Sequence, residues 1–209
     1  MKVETKQYRG YDINIYLDEE PESPREWENL GTMVAWHQRY DLGDKHDFED
    51  STNFRKWAKE NKAFYLPLYL FEHGGLSISA SGFSYCDPDG WDWGQIGWIY
   101  ITEEKIRNEF NWKKLTAKRM EQIESYLLNE VEIYNNYLNG NVYGYIIERN
   151  EKSFDSCWGY YGDPEESGLL EDAKSNIDYY ITEERRKHQE KTKALIKNHV
   201  PLIYREVRI

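Results

Sequence analysis

Two stretches hold the residues best suited to chemistry. Between positions 37 and 47 stand two imidazoles, His37 and His46, and three carboxylates, Asp41, Asp44 and Asp47. Imidazole suits transition metals and carboxylate suits hard cations, which makes Asp44 and His46 candidate metal ligands. The spacing follows no established metal loop. A turn in which Asp41 and Asp44 accept backbone amides around a positive-φ Gly43 accounts for the same residues without a metal. The second stretch, 86–102, is jointed by Pro88, Gly90, Gly94 and Gly97 and carries three tryptophans. Asp92 and Gln95 there could read donors and acceptors on a planar ligand while Trp91 stacks on it, at about 1–3 kcal/mol per stacked base. Alternatively Trp91 or Trp93 plugs the end of the core and Asp92 caps local amides. His37 and Arg39, with the similar aromatic run containing Trp158 and Tyr160, complete the candidate ligand-binding set. Cys157 reads as a small hydrophobe rather than a nucleophile, and no cofactor fingerprint is present.

Charge points to a partner. The net charge is −11, and residues 17–50 hold eleven acids against Arg25, Arg39 and Lys45. A field of this sign repels nucleic acid and membrane surfaces and favours a basic protein. The candidate contacts are Asp18, Glu19, Glu20, Glu22, Asp47, Glu49 and Asp50; a solvated face that only aids solubility is the plainer alternative. No apolar run approaches the roughly 20 residues of a membrane span, and positions 1–6 lack the apolar core of a signal peptide, so a cytoplasmic protein is expected. Two cysteines are too few for a disulfide scaffold.

These residues need elements to position them. Alternation over 6–17 around Arg9 and Gly10 predicts a hairpin, and Ser23 with Pro24 and Glu26 predicts a short capped helix. Strands are expected at 32–40, 66–71, 76–80 and 97–102, with a short helix from Ser51 and another, capped by Thr102, over 103–110. Apolar residues three or four apart (Met120, Ile123, Leu127, Val131, Tyr134 and Leu138) predict a long helix over 116–138. A hairpin of 142–148 and 154–162 follows, then a second long helix over 164–198 and an edge strand at 202–207. The expected class is α+β: a single domain over 1–209, a mainly antiparallel sheet, two long helices on one face and short helices in connections. Residues 183–209 are expected to be a projecting or partner-contacting extension.

Four motifs carry a resemblance: the run Ser23 to Met33; His37 with Arg39-Tyr40 and Leu42-Gly43-Asp44; Trp91-Asp92 with Gly94-Gln95 and Gly97 to Tyr100; and Asp155 to Gly162. Together they resemble a family of small proteins carried by bacteriophages, plasmids and other mobile elements, over about residues 10–180. Trp93 departs from the pattern, where a small residue such as serine is expected. The resemblance supplies a genetic setting and no catalytic residues. It implies an accessory protein that blocks a host defence such as restriction, CRISPR or nucleotide signalling. The expectation is therefore a non-enzymatic inhibitor, monomeric or homodimeric, that binds a basic host defence protein and no nucleic acid directly, or mimics nucleic acid. The alternatives are an aromatic pocket that sequesters or cleaves a nucleotide-like signal, and a metal-dependent hydrolase using His37, Asp44 and His46.

Overall fold

The computed structural model describes residues 1–197. In chain order these form β1 (Lys2–Tyr8), β2 (Tyr11–Leu17), a 3-10 turn (Pro24–Glu26), β3 (Thr32–Ala35), α1 (Ser51–Glu60), β4 (Ala63–Glu72) and β5 (Leu76–Ser79). They continue with β6 (Trp93–Thr102), α2 (Glu103–Phe110), α3 (Ala117–Leu138), β7 (Val142–Arg149), β8 (Lys152–Tyr161) and α4 (Leu169–Lys197). The class is α+β with antiparallel pairing, and the strands fall into two four-stranded sheets, each carrying one long helix. The described residues divide into two compact units, one of residues 1–18 and 143–197, the other of residues 19–142. The expected edge strand at 202–207 lies outside the described residues.

The first unit holds the sheet β1-β2-β7-β8. Both of its hairpins turn on two left-handed residues, Arg9-Gly10 (φ 49° and 80°) and Asn150-Glu151 (φ 52° and 62°). Such two-residue turns match the right-handed twist of the strands they join. Alternate residues of β2 and β7 (Ile13, Ile15, Tyr145, Ile147) face Leu169, Ala173 and Ile177 of α4, and all seven are buried. Beyond Glu183 the described part of α4 is mostly exposed, with Arg186 held by Glu183 and Glu190 on the helix itself.

The second unit holds the sheet β3-β6-β4-β5. Its α3 presents the expected stripe, and Ile123, Leu127, Val131 and Tyr134 pack on Met33, Leu68, Ile99 and Ile101. On the opposite face Phe54 and Ala58 of α1 cover Val34 and Trp98. Three caps fix helix starts: Asp50 accepts from the amides of Thr52 and Asn53, Thr102 from Lys105, and Thr116 from Arg119. Gly97 permits the closest crossing, since a Cβ there would lie 1.9 Å from the Val34 carbonyl oxygen of β3.

Here β3 is shorter than the 32–40 expected. Gly43 adopts φ +76° and the Asp44 amide donates to the Met33 carbonyl at 2.8 Å, so the following loop folds back onto β3. Residues 37–40 therefore leave the sheet, and the His37 Nδ1 accepts the amides of Arg39 and Tyr40 to make a turn.

The same loop explains the run from Ser23 to Met33. The Arg25 guanidinium, only 6% exposed, grips Asp44 through Nε and Nη2 and reaches Glu130 of α3 through Nη1 at 3.1 Å. Glu130 also accepts the amides of Leu30 and Gly31, and Asp44 that of Met33. Burial opposes the charge on Arg25, but the two carboxylates outweigh it and hold its pKa above the ordinary value.

Candidate functional site

The site lies where the end of β4, the loop 82–92 and the turn after β3 meet. Asp87 organises the loop: its carboxylate accepts the amides of Gly90 and Asp92, and its carbonyl accepts the Trp93 indole N–H at 2.8 Å. Trp93 is thereby turned inward against Tyr69 and Phe83. Trp91, two positions earlier, is left 86% exposed. Of the two rings, Trp93 is the plug.

Glu72 ties the three segments together. Its amide donates to the Asp92 carbonyl at 2.8 Å, while its carboxylate takes His37 Nε2 on one oxygen at 3.0 Å and Arg39 on the other. Because His37 Nδ1 already accepts two amides, Nε2 carries the proton and donates it. Arg39 lies over Tyr40, whose ring stacks on His37. On the other wall Asp92 Oδ2 is 2.8 Å from His73 Nδ1.

A cleft of about 350 Å³ opens here, and Arg39, Glu72, Trp91, Asp92 and Gln95 line it. A neighbouring cleft of about 340 Å³ shares Gln95 and Ile96 and extends to Trp36, Arg55 and Asp50. The surface is thus continuous from the tip of the aromatic loop to the N-terminus of α1. Four of the candidate ligand-binding residues converge on it, and His37 stands behind Glu72 as its hydrogen-bond donor. Glu72 and Arg55 escaped the sequence reading, because a single charged residue at a strand end or on a helix surface carries no pattern.

Trp158 and Tyr160 belong to the other unit. Trp158 covers Gly144, where a Cβ would come within 2.4 Å of the ring, and tilts against Tyr16. Tyr160 and Tyr145 both donate to Asp172 of α4, and Asn176 donates to the Tyr145 hydroxyl. Burial first, then the Asp172 carboxylate, push both phenols well above the usual tyrosine range. This pair fastens α4 to its sheet.

The metal candidates are engaged in different ways. Both Asp44 oxygens hold Arg25, whereas His46 Nε2 is 3.1 Å from the Ala35 carbonyl oxygen and its ring packs against Trp36. Among the described residues no group of three His, Cys, Asp or Glu side chains could hold a metal ion. Of the acids, Asp47, Glu49 and Asp50 are exposed on the approach to α1, with Asp50 capping it and Glu49 accepting from Asn53. Glu19, Glu20 and Glu22 are exposed and Asp18 half-buried in the segment after β2. A larger cleft of about 690 Å³ lies beside Arg25 and Lys105, but the Lys105 ammonium is held by the Asn29 carbonyl and Arg25 by its two carboxylates.

Among the described residues no helix is long and apolar enough to cross a membrane. Comparison of the chain with family models, curated proteins and solved structures gives no match in any of the three.

Proposed function

We propose that the protein is a non-enzymatic accessory protein that inhibits a host defence system by binding a defence protein through an acidic surface. The observation that carries this reading is Trp91, exposed on a loop whose charged residues are Asp87, Asp89 and Asp92, with no base between 82 and 92. Exposed tryptophans are favoured anchors at protein interfaces, and flanking carboxylates select a basic partner and speed its approach. The second cleft leads from there to Asp50, and Asp47 and Glu49 lie exposed in the segment just before it. The resemblance of the four motifs to mobile-element proteins supports the defence setting.

A second reading keeps the same cleft for a nucleotide-like signal, favoured by Asp92 and Gln95 lining it beside the free Trp91 ring. Native mass spectrometry of the purified protein separates the two, since a co-purifying nucleotide supports sequestration. The inhibitor reading is tested in cells that carry an active restriction or CRISPR system. Expression of the protein should raise phage plating, and the variant Asp47→Asn, Glu49→Gln, Asp50→Asn, Trp91→Ala should not. Unchanged plating across a panel of defence systems would sink it.

A further inference from the structure

The open end of β6 has a feature that neither the charge nor the aromatic loop requires. β3 pairs with β6 only from Thr32↔Tyr100 to Ala35↔Gly97, and the Trp36 amide to Ile96 carbonyl bond closes that ladder. On its other side β6 pairs with β4 down to Phe71↔Trp93. Residues 93–95 are therefore paired on one side, and among the described residues no strand pairs their other side. Gly94 and Gln95 are exposed, and a Cβ added at Gly94 would meet nothing within 4 Å, so another backbone can approach closely. The pairing register slips between Leu68 and Tyr69, leaving Ile96 as an extra residue on β6. A bulge and a short edge are the devices that keep a strand from pairing indiscriminately, without closing it to a matched partner.

The surroundings say what would match. Gly94 and Gln95 share their cleft with Trp91, Asp92, Glu72 and Arg39, the last of which is ion-paired to Glu72, and Gln95 also borders the cleft that reaches Arg55 and Asp50. Side chains of an added strand alternate between two faces. Glu72 is already held by His37 and Arg39, so cationic ones would meet the loop carboxylates Asp87, Asp89 and Asp92 or the exposed Trp91 indole face, which attracts ammonium and guanidinium groups. We infer that the free edge of β6 at Trp93–Gln95 receives an extended basic segment of the partner protein as an added strand, with backbone hydrogen bonds supplying affinity and the acidic, tryptophan-bearing rim supplying selectivity. The inference rests on the partner-binding reading above and names its mode. The chain's own basic stretch in α4 does not fit this role, because it is helical through Lys197.

The test uses the full ¹⁵N-labelled protein and three acetylated, amidated octapeptides: alternating Lys-Val, alternating Lys-Pro and alternating Glu-Val. Lys-Val should give saturable amide shifts and slowed exchange centred on Gly94 and Gln95. Lys-Pro has the same charge without the alternating donors, and should bind at least about tenfold more weakly, the equivalent of one or two backbone hydrogen bonds. Glu-Val should not bind. Equal binding of Lys-Pro and Lys-Val would overturn strand addition while leaving a purely electrostatic partner surface standing. No binding of Lys-Val, or shifts confined to residues away from β6, would overturn the inference whatever the plating assay gives. Concentration-dependent shifts in α4 and the acidic loops without peptide would overturn it in favour of a second copy as the occupant.

Discussion

His37 and Glu72, 35 positions apart, are joined by a single hydrogen bond of 3.0 Å from Nε2 to Oε1. Its direction is fixed from behind, because the amides of Arg39 and Tyr40 occupy Nδ1. The other Glu72 oxygen holds Arg39, so one carboxylate sets the wall of the cleft before any partner arrives. Such preformed walls reduce the ordering cost of binding.

The tautomer is directly observable. Nitrogen-detected imidazole spectra should show His37 as the Nε2–H form in the wild type. In Glu72→Ala the ring should become a mixture of tautomers and the Arg39 side chain should lose its order. An unchanged His37 spectrum would mean that Glu72 does not hold the ring.

Trp91→Ala should separate binding from folding. The ring is almost wholly solvent-exposed, so unfolding free energy by urea should stay within about 0.5 kcal/mol of wild type. Binding to the proposed basic partner should weaken by about 2 kcal/mol, roughly thirtyfold, if Trp91 is the anchor. Trp93→Ala should do the reverse, since its indole is hydrogen-bonded to the Asp87 carbonyl and packed inward.

Arg25 carries the opposite expectation. Arg25→Met leaves Asp44 and Glu130 without their cation in a poorly solvated site, at a cost of about 3–5 kcal/mol in chemical denaturation. Glu130→Gln keeps a carbonyl to accept the Leu30 and Gly31 amides and should cost only about 1–2 kcal/mol. Equal losses for the two variants would show that charge pairing is not what holds this loop.

Tyr145 and Tyr160 set an alkaline limit. Both phenols hold their protons more tightly folded than unfolded, through burial and then Asp172. The unfolded chain releases them first as pH rises past its tyrosine range near 10, so this stability is intact below about pH 10 and lost above it, by up to about 1.4 kcal/mol per unit and group. Melting by circular dichroism from pH 8 to 11.5 should show that decline, and Tyr160→Phe should make it shallower. A decline of the same slope in the variant would place the titration elsewhere.

Local signals in the sequence were enough for the elements. Thr102 and Thr116 cap the helices they precede, Arg9-Gly10 turns a hairpin, and α3 buries the stripe that its spacing announces. Each of these depends on residues within a turn or two of one another, which is the range over which backbone hydrogen bonds and side-chain periodicity act. The aromatic loop and its polar neighbours were legible as a candidate surface for the same reason. Long-range pairing was decided only in the folded chain. Arg25 finds its carboxylates 19 and 105 positions away, Gly97 is needed because β3 crosses against it, and Glu72 enters the site by closing a loop of twenty residues onto Asp92. The division of the eight strands of the described residues between two sheets likewise put Trp158 and Tyr160 in a unit separate from Trp91, although the two aromatic runs look alike in sequence. Composition can mark a residue as able to bind. Which carboxylate meets which cation depends on sheet register and loop closure, and those are properties of the whole chain.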